Sequence, residues 1–187
     1  MLPWGHFAVA YLLYSAYARR RFDRPPRPGP TLAVVAGVVF ADVVDKTFGW
    51  GLGLIPSRSA GHSLVVAVPL VAAVYLVAFH YDRVAAATAF AISHVSHLLT
   101  DIRPRLLLGY PIRNRYLLWP IVRERQYTFD ERVFEPPWIV ELLVLPLVFR
   151  PTFLLFELVL FGFAFRRWKL DGRPGLASVR RWFEGGG

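Results

Sequence analysis

Long apolar runs alternate with short basic, proline-rich or glycine-rich segments along this 187-residue chain. The first run, roughly Pro3 to Tyr17, stops at Arg19, Arg20 and Arg21 and a proline-rich loop from Arg24 to Pro30. The second, roughly Thr31 to Trp50, is interrupted by Asp42 and Asp45 and leads into a glycine-rich connector, Gly49 to Gly61. A third extends from about His62 to His80, and a short turn at Tyr81 and Asp82 joins it to a fourth, about Arg83 to Asp101. Runs of this length and apolarity predict helices that cross a bilayer. The first begins directly at Met1 with no basic segment before it, so it reads as a retained span and not as a cleaved signal.

After the fourth run comes an arginine-rich, proline-punctuated stretch, Arg103 to Pro137. Tyr116, Trp119, Tyr127 and Trp138 are aromatics of the kind found at membrane interfaces. The last apolar region, Trp138 to Trp168, breaks at Arg150-Pro151. Its first half, Trp138 to Phe149, would cover about 18 Å as a helix, short of the roughly 30 Å hydrocarbon core. That half predicts a re-entrant or interfacial helix, and the half from Thr152 predicts a span. The pattern as a whole predicts an all-α polytopic membrane bundle of about five transmembrane helices plus one short re-entrant or interfacial helix; six spans is the alternative. Residues 1–168 then form a single transmembrane domain and 169–187 a polar, loose C-terminal tail.

Composition agrees. Hydrophobic residues make up 55 % of the chain and charged residues only 19 %, less charge than a soluble domain carries. The net charge is +9, almost all from arginine. Because the arginines lie between apolar runs, without a nucleic-acid-binding motif, they fit phospholipid headgroups better than nucleic acid. The absence of cysteine excludes disulfides, zinc–thiolate sites and cysteine nucleophiles.

Ionisable residues inside apolar spans are costly, and each is a functional candidate. Here they are His6, Asp42, Asp45, His62, His94, His97 and Asp101. Antiparallel neighbours reverse direction at each short loop. The start of the first span, the end of the second, the start of the third and the end of the fourth therefore share one membrane face, which gathers these groups into one layer. His94, His97 and Asp101 form one helical stripe, and Asp42 and Asp45 also share a face. Imidazole nitrogen with carboxylate oxygen suits a divalent metal, zinc first, with manganese and iron as alternatives. His6, Asp42, Asp45, His62, His97 and Asp101 are the candidate ligands, and Asp42, His97 and Asp101 the candidate catalytic groups. Bland readings stand beside these: His94 as a packed histidine, Asp45 paired with Lys46 or Arg58, and His80 as an interfacial residue at the opposite face. Glu141 and Glu157 lie in late apolar runs without an assigned role.

Gly5-His6, Phe40-Ala41-Asp42, Arg58-x-x-x-His62-Ser63 and Ser96-His97-x-x-x-Asp101 occur in that order. With Leu118-Trp119-Pro120 and a late Glu157 span running into Asp171-Gly172-Arg173-Pro174-Gly175, the chain resembles the membrane-bound metal-dependent hydrolase family from about residue 3 to 176. The resemblance implies that His6, Asp42, His62, His97 and Asp101 hold or adjoin a metal. The chain departs from the family pattern at Ala41, Val44 and Ser57.

The basic loop Arg19 to Arg27 predicts a cytoplasmic first loop, and hence a site on the non-cytoplasmic face of a multi-pass cell-membrane protein. At headgroup depth, rimmed by arginine and aromatics, such a site suits an amphiphilic or lipid-linked substrate, with Arg58 a candidate to hold a phosphate. The expected activity is hydrolysis of a lipid or lipid-linked phosphoester through a metal-bound water. The alternative is a non-catalytic membrane protein, either a scaffold or a carrier of metal or protons. A carrier needs polar groups reaching the other face, where only His80 and Asp82 lie.

Overall fold

The computed structural model describes residues 1–56, 58–102, 115–122 and 151–184. Every regular element among them is helical. They are α1 (Pro3–Phe22), α2 (Pro28–Val44), a π-helical continuation of α2 (Asp45–Gly51), α3 (Leu64–His80), α4 (Val84–Thr100), a 3₁₀ turn (Arg115–Leu118), α5 (Pro151–Leu170) and α6 (Leu176–Phe183). The expected short helix at Trp138 to Phe149 lies outside the described residues.

Local signals account for most boundaries. Proline occupies the first turn of both α1 and α2, where its missing N–H costs nothing. Ser63 caps α3 by accepting from the amides of Val65 and Val66 at 3.1 and 3.3 Å. The first helix was expected to end near Tyr17, but it runs on to Phe22 and closes with Asp23 in the left-handed region. Arginines 19 to 21 occupy its last turn, where positive charge complements the helix dipole, so they prolong the helix and do not stop it.

The core is a packing of α2 against α4, with α1 lying on both and on α5, and α3 on the outer side of α4. Gly37 marks the closest approach: a Cβ there would overlap Ser93 Oγ and the Phe90 carbonyl of α4. Gly37→Ala should therefore push the two helices apart and cost about 1–3 kcal/mol. Thermal unfolding in detergent checks this, and an unchanged midpoint would contradict the packing.

The pairings of α5 with α1 fix its direction. Glu157, early in α5, accepts from the amide of Leu2, and Asp171, just past its end, accepts from Tyr11 and Ser15. The two helices thus run parallel. Residues following α5 stand at the opposite end of the bundle from the start of α1. The tail, expected to be loose, contains α6.

Large and small residues are distributed in an unusual way. Beside Tyr14, Leu98, Val34 and Val38, the interior is lined by Ala8, Ala10, Ala41, Ala89, Ser15, Ser93 and histidines, while Val68, Leu76 and Phe79 are more than 70 % exposed. Small residues at helix contacts with large apolar ones outward is the arrangement used where the surroundings are themselves apolar. No helix among the described residues is long and apolar enough to cross a membrane. α2, α3 and α4 have 17 residues each, about 25 Å at 1.5 Å per residue.

Candidate metal centre

The start of α1, the end of α2, the approach to α3 and the end of α4 meet at one end of the bundle. Asp101, at the C-cap of α4, stands where they converge. His6 Nε2 lies 3.0 Å from its Oδ1, and His62 Nε2 and His97 Nε2 lie 3.4 and 3.9 Å from its Oδ2. The Nε2 atoms of His62 and His97 face each other at 3.3 Å, and Asp42 Oδ1 is 3.8 Å from His62 Nε2. The rings of His6 and His97 stack at 4.2 Å. His6, His62 and His97 are all buried, whereas Asp42 is partly open.

The residues behind these rings determine which nitrogens carry protons. His6 Nδ1 is 2.8 Å from Thr100 Oγ1. The single proton of that hydroxyl is directed at the Ser96 and His97 carbonyls, at 2.8 and 3.1 Å. His6 Nδ1–H must therefore donate to Thr100, which leaves a lone pair on Nε2 aimed at Asp101. His62 Nδ1 donates in the same way to Asp45 Oδ2 at 2.7 Å, leaving its Nε2 lone pair facing Asp101, Asp42 and His97. With the imidazoles neutral, these acceptors repel unless a cation lies between them; Arg58 and the Met1 ammonium, 3.4 Å from Asp101 Oδ1, already bring positive charge to the carboxylate. At the usual bond lengths, ligand atoms around a tetrahedral zinc stand roughly 3.3 Å apart, close to the separations at the heart of this cluster.

Two ligand-like groups overlap here, His6 with His97 and Asp101, and Asp42 with His62 and His97. Both use His97. Its Nε2 has one lone pair, so the arrangement suits one ion better than two.

Asp45 was expected among the ligands and stands instead behind one. Its Oδ1 accepts from the Gly61 amide at 2.8 Å, and its Oδ2 from the Ser59 amide at 2.9 Å as well as from His62. Asp42 and Asp45 do share a face, but they address opposite nitrogens of the same imidazole. A carboxylate on the far nitrogen orients the ring and raises its basicity, and losing such a partner costs about 10–100-fold in metal affinity. Asp45→Asn should show a loss of that size without a change in stoichiometry, measured by titration of the metal-free protein with zinc. The loop is tight: a Cβ on Gly61 would overlap the Ala41 carbonyl.

His94 is buried against Phe90 and Phe40, apart from both ligand-like groups. His80 is exposed at the far end of α3. Arg58 pairs with Asp101 through Nη2, its guanidinium carbon 4.5 Å over the Tyr116 ring.

Three supporting residues were not anticipated. Thr100 sets the His6 tautomer. Tyr116, read only as an interfacial aromatic, carries Arg58. Glu157 is fully buried and accepts from the Leu2 amide with both oxygens, at 3.0 and 3.2 Å, capping the helix that bears His6. Gly5 permits this approach, since a side chain there would stand 3.1 Å from the Glu157 carboxyl carbon. An acid within an apolar run was the available signal, but its partner is a backbone amide, which carries no sequence signature.

The described residues thus form an all-helical bundle with large apolar side chains outward and a buried histidine and carboxylate cluster at one end. The chain belongs to the YdjM inner membrane protein family, whose model matches residues 1–170. No curated protein and no solved structure matches it.

Proposed function

We propose that the protein is a multi-pass inner-membrane hydrolase that depends on one divalent metal ion, with zinc the first choice. The observation that carries this reading is the convergence of the Nε2 atoms of His6, His62 and His97 on the Asp101 carboxylate. His6, His62, His97 and Asp101 would hold the ion, with Asp42 at the open side. A divalent ion in such a site lowers the pKa of a coordinated water and polarises an ester or phosphoester oxygen.

The remaining roles belong to the chain itself. Asp45 and Thr100 hold two imidazoles in the tautomer that presents Nε2. Asp42, the exposed carboxylate of the set, is placed to take a proton from an incoming nucleophile. Arg58, half in solvent and steadied by Tyr116, offers a second guanidinium edge to a phosphate or carboxylate oxygen. The apolar exterior brings an amphiphilic substrate to the site, so a lipid or lipid-linked phosphoester is the substrate class we favour.

Family membership and the outward-facing apolar residues support the membrane-embedded reading. Arg19, Arg20, Arg21, Arg24, Arg27 and Arg83 stand at the end opposite the site, as do Arg166, Arg167 and Lys169 at the end of α5 and Arg173, Arg180 and Arg181 beyond it. By the positive-inside rule this supports a cytoplasmic position for that end and a site outside. A scaffold reading has less support, because it gives no role to the buried convergence of three histidines on one carboxylate.

The test is hydrolysis of short-chain phospholipid and prenyl phosphoesters by protein in detergent, before and after chelation and zinc return. Turnover that stops on chelation and recovers with zinc supports the proposal. Turnover indifferent to chelator, or absent from every phosphoester and carboxylic ester tried with metal loaded, sinks it.

A further inference from the structure

Just beyond the end of α5 the chain is held by its own side chains. Asp171 is buried and accepts from Tyr11 Oη at 2.8 Å and Ser15 Oγ at 2.6 Å, and it pairs with Arg19 and with Arg167 Nε at 3.3 Å. A turn follows in which Gly172, Arg173 and Gly175 have φ of 84°, 56° and 87°. Trp168 Nε1 closes it by donating to the Pro174 carbonyl at 3.1 Å. Gly175 packs beside Leu32 at the start of α2. The turn is therefore anchored to the bundle at the end opposite the metal centre, and α6 starts from a fixed height.

α6 has the sequence Leu-Ala-Ser-Val-Arg-Arg-Trp-Phe. At 100° per residue, Leu176, Val179, Trp182 and Phe183 fall within an arc of about 120°, and Arg180 and Arg181 lie outside it. That apolar face is not covered by any described part of the bundle: Val179, Trp182 and Phe183 are 40, 78 and 75 % exposed. The rest of the end is basic, through Arg166, Lys169 and Arg173.

We infer that α6 is an in-plane anchor that lies in the membrane interface and binds anionic phospholipid, with Val179, Trp182 and Phe183 immersed and Arg180 and Arg181 at the phosphates. The chemistry fits one occupant. Trp beside arginine is the pairing that settles at headgroup depth. The basic end needs negative counter-charge, and basic residues near an anionic leaflet are held by its surface potential. A second copy of α6 would bring its own two arginines to the same face. The helix lies beyond the family-matched residues, and the inference rests on the membrane character of the family, not on the metal centre.

The chain has no cysteine, so single labels can be placed without a background. Spin labels at Ala177→Cys, Val179→Cys, Phe183→Cys and Glu184→Cys are read in the full-length protein, in vesicles of phosphatidylcholine with and without phosphatidylglycerol. Labels at 179 and 183 should collide several-fold more with oxygen than with a water-soluble nickel chelate, and labels at 177 and 184 the reverse. Phosphatidylglycerol should deepen 179 and 183, and R180Q with R181Q should abolish that response. Thermal unfolding of each labelled protein confirms that the bundle is intact. Four labels equally open to nickel would overturn the proposal. So would labels at 179 and 183 shielded from both reagents and broadened by a neighbouring label, since a second chain would then cover the face.

Discussion

Asp101→Ala, purified beside the wild type, is expected to lose its bound divalent ion altogether. Asp101 is the group that the other candidate ligands share, with His6 on one oxygen and His62 and His97 on the other. Removing it leaves three imidazoles with only the partly open Asp42 to balance a divalent ion. The loss should exceed the roughly 10–100-fold expected when only a partner behind a ligand is removed, which separates this variant from Asp45→Asn. Asp101→Ala also frees Arg58 and the Met1 ammonium, but the guanidinium is 37 % exposed and rehydrates and the chain terminus can turn to solvent, so the fold should survive. Metal analysis with circular dichroism on the same sample checks both points. An Asp101→Ala protein that keeps its metal would mean the ion sits elsewhere.

The second large effect is on stability. Asp171 accepts from Tyr11, Ser15, Arg19 and Arg167 and has no exposed side-chain surface. Asp171→Ala strands two hydroxyls and two cations where α1 meets the end of α5. Breaking a buried ion pair on one side only is strongly destabilising. Because Arg19 and Arg167 are each a third or more exposed, the cost should sit at the lower end, about 3 kcal/mol. The variant should unfold well below the wild type while binding metal normally at low temperature, because the centre lies at the other end of α1. A matching loss of metal in the folded protein would tie the two ends together and contradict their separation here.

Much of the site could be read from residue order alone. Four helix ends that alternate direction bring His6, Asp42, His62 and Asp101 to one end of the bundle, where His6 and His62 stand 3.0 and 3.4 Å from Asp101 and Asp42 stands 3.8 Å from His62. His97 and Asp101, one helical turn apart, point the same way, as their spacing requires. What could not be read depends on partners without a sequence signature. Asp42 and Asp45 look equivalent on a helix face, and only the backbone amides of Ser59 and Gly61 decide that Asp45 serves His62 from behind. Glu157 caps α1 through the Leu2 amide. Arginines 19 to 21 resemble a stop signal, yet Arg19 is drawn inward by Asp171, a contact 152 residues away. The tail looked polar on average, and averaging hid the apolar stripe of α6.

The cluster of His6, His62, His97 and Asp101 at one end of the bundle is proposed to hold a divalent ion. The most direct test is metal content with zinc-edge X-ray absorption on protein purified without chelator. Close to one ion per chain is expected, with histidine scattering and nitrogen or oxygen ligands at roughly 2.0–2.2 Å. Protein that is folded yet carries no ion and takes up none when zinc is supplied would contradict it.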